Sequence, residues 1–285
     1  MQWKQNKMTP QTLNDHEVEA ILYAIRKTEK CGHIFLVTEA GSRARGLASE
    51  SSDYDVRFVY MPTMDWYCGL DRKTARDVFD AHDKAALGLS LADRYDVSGM
   101  EITKFLGLVL RSNPTVLEWL SGDVYQTGTI GEELMQLKDA PHNAQLLSYH
   151  YDRMARNQVK NDRLLQETRT IKDWLMFLVP ALSALWVDAH GTLPPMKFDE
   201  LVDSFTFGTE PKSLGTTINE IREVAYLKRL GHGNDLCSNR QFSGLRVFAR
   251  EFMASRPPAT ITNSEPSDRL RTAIDLVLYR ATYRP

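Results

Sequence analysis

From His16 to Lys30 the apolar positions Val18, Ile21, Leu22 and Ile25 recur with helical spacing, and Asn14 or Asp15 stands where a cap belongs. Cys31-Gly32 stops that pattern. His33 to Thr38, HIFLVT, is a short apolar run of the kind that forms a buried strand. Gly41 to Leu47 can form a short helix, Ala48 to Ser52 is a serine-rich turn, and Asp53 to Met61 is a second strand ended by Pro62. Asp71 to Ala92 is polar without clear periodicity and reads as an insertion. Tyr95 to Ile102 is a third strand. Lys104 to Arg111 is a helix with Phe105, Leu108 and Val109 on one side, and Asn113-Pro114 ends it. Pro114 suits the first turn of a further helix containing Leu117, Trp119 and Leu120.

Beyond this point the pattern changes. Gly131 to Lys138, Ala144 to Thr170, Ile171 to Ala189, Phe198 to Ser204, Leu214 to Leu230 and Arg269 to Tyr283 all read as helices, with no strand among them. Tyr125 to Gly131, YQTGTIG, has the composition of a connecting loop, as do Gly231 to Ser243 and Ser255 to Asp268. Ser267 or Asp268 would cap the last helix. The expected fold is α+β: a catalytic unit with a mixed sheet at 1–127, then an all-helical domain at 128–285.

Composition narrows this only a little. The chain has 285 residues, 42% hydrophobic and 25% charged, which is ordinary for a globular protein. A formal net charge of −2 gives no global attraction to nucleic acid, so any polyanion site must be a local patch. Cys31, Cys68 and Cys237 stand alone without a CxxC spacing, which argues against a zinc site or disulfide framework and fits a cytoplasmic location. The first residues lack the apolar core of a signal peptide, and no stretch approaches a membrane span.

The chemistry concentrates in Gly41 to Tyr60. Strand alternation turns Asp53 and Asp55 to one face and Tyr54, Val56 and Phe58 to the other. Two carboxylates about 7 Å apart on one strand repel, a cost readily explained by a shared divalent cation. A Gly-Ser turn just before them can bring backbone N–H groups to a phosphate, and glycine at 41 permits close backbone approach. A phosphate cradle beside a carboxylate pair is equipment for metal-dependent phosphoryl or nucleotidyl transfer. A third acid is wanted, with Glu101 the first candidate and Asp96 its rival. Arg43, Arg45, Arg57 and Lys104 could each neutralise a triphosphate, and Lys172 could reach it from the helical half. Arg153, Arg156, Lys160 and Arg163 form a helical stripe that reads as a solvated face or as a basic rail.

The order of strand, Ala40-Gly41-Ser42, short helix, then Asp53-Tyr54-Asp55-Val56 resembles the nucleotidyltransferase superfamily typified by DNA polymerase β. Within it, Arg43-Ala44-Arg45-Gly46, Asp96 to Glu101, Ser112-Asn113-Pro114, Glu118-Trp119-Leu120 and His150-Tyr151 are similar to a branch associated with RNA-repair operons. The resemblance implies transfer of a nucleotide from a nucleoside triphosphate, ATP or another, to an acceptor hydroxyl. It implies Mg2+, or Mn2+ in its place, on Asp53, Asp55 and Glu101, with Gly41 and Ser42 at the phosphates. The resemblance also implies an RNA end, of tRNA or another RNA, as the natural acceptor. Modification of a protein hydroxyl, and a non-catalytic nucleotide or RNA sensor, are the alternatives.

Overall fold

The computed structural model describes residues 12–27, 31–63, 65, 78–80, 94–160, 169–205, 212–237, 241–256 and 265–283. Helix α1 (Asp15–Arg26) is opened by a capping box in which Asn14 and Glu17 each accept the other's backbone N–H. It precedes strand β1 (Cys31–Glu39), the one-turn helix α2 (Gly41–Ala44) and strand β2 (Tyr54–Pro62). Then come β3 (Val78–Asp80), β4 (Tyr95–Glu101), helices α3 (Ile102–Leu110) and α4 (Pro114–Trp119), and strand β5 (Val124–Thr127). The sheet order is β3-β4-β2-β1-β5, with β2 and β4 parallel and the remaining neighbours antiparallel. The first part is thus the expected mixed-sheet unit.

Two of its strands were not expected. Much of the polar Asp71 to Ala92 stretch lies outside the described residues, but β3 within it adds an edge strand to β4. β5 falls in the segment read as a connecting loop. It is short and exposed at both ends, so it carries none of the alternation that marks a half-buried strand.

The remainder is mostly helical: α5 (Thr129–Gln136), α6 (Ala144–Lys160), α7 (Ile171–His190), α8 (Phe198–Asp203), α9 (Lys212–Arg229), α10 (Ser243–Ser255) and α11 (Asp268–Tyr283). A two-stranded ribbon, β6 (Arg169–Thr170) with β7 (Leu236–Cys237), ties the start of α7 to the segment after α9. Helix α10 was not expected either, although Leu245, Phe248, Ala249 and Phe252 line its buried side at helical spacing. Phe248 and Phe252 close with Phe177 of α7 into an aromatic cluster. Residues 161–168, the end of one expected helix, lie outside the described residues.

The sheet is buried on both faces. Tyr54, Val56, Phe58 and Tyr60 pack with Val37, Tyr95 and Val97 against Ile21, Leu22 and Ile25 of α1. On the other face Leu36, Val59 and Met100 join an apolar core that runs without a break through α3 to α11. Helix α11 lies on α3, α5 on β1, and α6 on α4. The division at 127/128 therefore crosses a shared interior. Residues 1–127 expressed alone should leave Met100, Phe105 and Trp119 without their helical cover; weak near-UV circular dichroism and strong dye binding are the expected outcome. A cooperative thermal transition of that fragment would contradict it.

Candidate active site

The site grows from the antiparallel pairing of β1 with β2, in which Glu39 lies opposite Val56. That register brings the turn after β1 onto the start of β2. Ala40 N–H donates to the Asp55 carbonyl at 2.9 Å. Gly41 has a φ of +60°, and a Cβ there would lie 1.9 Å from Oδ2 of Asp55. Glycine is needed twice over, for the left-handed backbone and for the carboxylate packed against it. Ser42, half-buried, follows in α2. The structure thus brings Gly41, Ser42, Asp53 and Asp55 together.

Asp55 stands directly beside Asp96, its partner in the parallel β2–β4 register. The Arg57 guanidinium lies between them, 3.0 Å from Oδ1 of Asp55 and 2.8 Å from Oδ2 of Asp96. Burial pushes the Asp55 carboxyl above its ordinary pKa; Arg57 opposes that shift, and the charges of Asp96 and Asp53 add to it. The acid that joins the aspartates is Asp96. Glu101 belongs with Tyr95 and Val97 in the alternation of β4, on the α1 side of the sheet. Its buried carboxylate caps α3, accepting the N–H groups of Thr103 (2.9 Å) and Lys104 (3.0 Å) and the Thr103 hydroxyl. Glu101 is therefore not brought to the pair, and Lys104 sits in the first turn of the helix it caps.

Two of the basic residues expected at the phosphates hold the protein to itself. Arg43 is buried with its guanidinium 3.7 Å from the Tyr54 ring, donating to the carbonyls of Asp53 (3.1 Å) and Ser52 (2.7 Å). Arg45 pairs with Glu118 of α4 at 2.5 Å, and Tyr151 of α6 donates to the same carboxylate at 3.2 Å. The basic stripe on α6 breaks in the same way. Arg156 is buried against Asp152 at 2.6 Å, Arg153 is exposed with its guanidinium 2.7 Å from the Tyr149 hydroxyl, and the side chains of Lys160 and Arg163 lie outside the described residues.

Cations do reach the site from the helical part. Lys228, at the end of α9, donates to Oγ of Ser52 at 3.1 Å, and its neighbour Arg229 holds the Gly46 carbonyl at 2.7 Å. Burial lowers the Lys228 pKa and the repulsion of Lys172 lowers it further, while Asp53 and Asp55 attract its charge. Lys172, exposed in the first turn of α7, is thus near Lys228 as part of the same field. Sequence reasoning missed Lys228. A Lys-Arg pair at a helix end before glycine is the ordinary pattern of a helix C-terminus, so nothing set it apart.

A model of the RlaP family, described as the RNA repair pathway DNA polymerase beta family, matches residues 15–253. The chain belongs to that family. It is also 37% identical over 205 residues to the uncharacterized protein YcgL of Bacillus subtilis (strain 168), spanning 71% of this chain and 72% of that one. Membership of a polymerase β family in RNA repair supports a nucleotidyltransferase role in general terms. No helix among the described residues is long and apolar enough to cross a membrane.

Among the described residues, no group of three His, Cys, Asp or Glu side chains is arranged to hold a metal ion. The donor set nevertheless suits a hard divalent cation. Asp53 and Asp55 offer only carboxylate oxygens, and Mg2+ is commonly held by one or two carboxylates with substrate phosphates completing its shell. Arg57 meanwhile supplies positive charge between Asp55 and Asp96. Because the folded state raises the Asp55 pKa, its contribution to stability is fully present below the unfolded value of about 3.9 and is lost as pH rises through the folded value. Asp55→Asn should therefore raise the melting temperature of the metal-free protein at neutral pH, with the gain vanishing in acid. Melting curves across pH check this, and a lower melting temperature at pH 7 would contradict it.

Proposed function

We propose that the chain transfers a nucleotidyl group from a nucleoside triphosphate to an acceptor hydroxyl, with an RNA end as the acceptor and pyrophosphate released. The observation that carries this reading is the convergence of two opposite fields on one turn. The carboxylates of Asp53, just before β2, Asp55 on β2 and Asp96 on β4 stand together, and Lys228 with Lys172 arrives from the helical part. A triphosphate carrying a divalent ion is the ligand class that matches both. Its β and γ phosphates lie on the Gly41-Ser42 turn, and the two lysines neutralise the charge that departs with pyrophosphate.

Asp53 and Asp55 would hold Mg2+, or Mn2+ in its place, with substrate phosphates completing its shell and Asp96 beside them across Arg57. When bound, the ion neutralises the phosphates and lowers the pKa of the acceptor hydroxyl. Arg57 would balance the charge of Asp55 and Asp96 beside the ion. Arg43 and Arg45 act through the protein, holding the turn and the domain contact. No covalent intermediate is needed, because positioning and charge carry the reaction. The RNA acceptor is supported by the repair family alone, and the buried free thiols of Cys31 and Cys237 accord with a reducing cytoplasm.

The deciding experiment incubates the protein and Mg2+ with each labelled triphosphate, adding either total RNA or lysate protein. Label is expected in the RNA; label in protein alone would overturn the acceptor, and triphosphate binding without pyrophosphate release would overturn transfer. Asp53→Asn and Asp55→Asn should each reduce incorporation about 10²-fold or more while the protein stays folded. Full activity in both variants would exclude the assigned ligands. Lys228→Ala should weaken triphosphate binding about tenfold, the size of one lost charge-assisted hydrogen bond; an unchanged dissociation constant would remove it from the site.

A further inference from the structure

Glu39 lies at the end of β1, just before the Gly41-Ser42 turn, and is only 2% exposed. An interior carboxylate is costly unless its oxygens are used. Both are. Oε1 accepts the backbone N–H of Asp55 at 2.8 Å, and Oε2 accepts the hydroxyl of Tyr125 from β5. The Asp55 carbonyl is held as well, by Ala40 N–H at 2.9 Å. Asp55 is therefore fixed by both of its backbone polar groups to the residues that open the phosphate turn. Tyr125 holds the far oxygen of Glu39, and the chain just before it grips the Glu39 backbone. Asp123 accepts Glu39 N–H at 2.8 Å, and a Cβ on Gly122 would lie 1.9 Å from the Glu39 carbonyl oxygen.

We infer that Glu39 and Tyr125 form a positioning relay that holds Asp55 in register with the Gly41-Ser42 turn. The relay rests on the proposed use of Asp55 as a metal ligand. Neither residue touches the ion or the nucleotide. Glu39 acts on the Asp55 backbone, and Tyr125 acts on Glu39 from the strand that leads into the helical part. Two acceptor oxygens on one side chain suit Glu39 to hold both partners at once; burial raises its pKa, and the hydrogen bonds from Tyr125 and the Asp55 N–H oppose that rise.

The test measures Mn2+ affinity by electron paramagnetic resonance on the full chain, with melting temperature and steady-state kinetics alongside. Glu39→Ala leaves the Asp55 N–H without its partner and should weaken Mn2+ binding about tenfold, lowering kcat with little change in KM for the triphosphate. Glu39→Gln keeps an acceptor for Asp55 and an amide for the Tyr125 oxygen, so it should recover affinity to within about threefold of the original. Wild-type Mn2+ affinity in a folded Glu39→Ala protein overturns the relay. Equal losses in the Ala and Gln variants also overturn it, because charge rather than hydrogen bonding would then be responsible. Should Glu39→Ala fail to fold, Tyr125→Phe takes its place. A twofold to threefold weaker Mn2+ affinity, about 0.4–0.7 kcal/mol, is expected, and no change overturns the relay. Asp55→Asn separates the two readings. Mn2+ affinity unchanged in that variant removes the metal site itself, whereas its loss there but not in Glu39→Ala removes only the relay.

Discussion

The antiparallel pairing of β1 with β2 is the constraint on which the rest depends. Hydrogen bonds and one glycine lay residues 39–43 onto residues 52–55: the Asp55 N–H donates to Glu39, Ala40 N–H to the Asp55 carbonyl, and Arg43 to the carbonyls of Ser52 and Asp53. The Asp55 carboxylate then lies against Gly41. A strand exchanges its two faces with a slip of one residue. Tyr54 buried under α1 therefore also determines that Asp53 and Asp55 look the other way.

That arrangement stores repulsion. Three carboxylates share one end of the sheet, and burial raises the pKa of Asp55 where isolation in water would not. The molecule answers with positive charge of three kinds. Arg57 lies within the acids, while Arg43 and Arg45 are spent on the backbone and on Glu118, and Lys228 arrives from the helical part. Sites that hold unfavourable charge in this way exchange stability for binding.

The helical part is more than an appendage. It covers the site-side face of the sheet with a continuous core, and it carries Lys228 to the aspartates with Lys172 near that lysine. The β6–β7 ribbon ties the start of α7 to the chain just after α9, so the two lysines come from segments that are held together. This is the physical sense in which a mixed-sheet unit and a helical unit make one site.

Local chemistry in the sequence determined a good deal. Gly41-Ser42 and Asp53-x-Asp55 pointed to the candidate site because their meaning lies in backbone conformation and strand alternation, both short-range properties. Periodicity likewise revealed most helices, and Asn14 and Pro114 marked where two of them begin. What the chain could not display is which charges meet across it. Arg43, Arg45 and Arg57 look alike in sequence, yet one stacks on Tyr54, one pairs with Glu118 and one bridges two acids. Glu101 and Asp96 were separated only by which face of β4 each occupies and by the helix that begins at Glu101. Lys228 is 175 residues beyond Asp53 in the chain, and only packing of α9 brings it there. The partners that join β4, α4 and α9 to the turn lie far apart in the chain, and they were decided by tertiary structure alone.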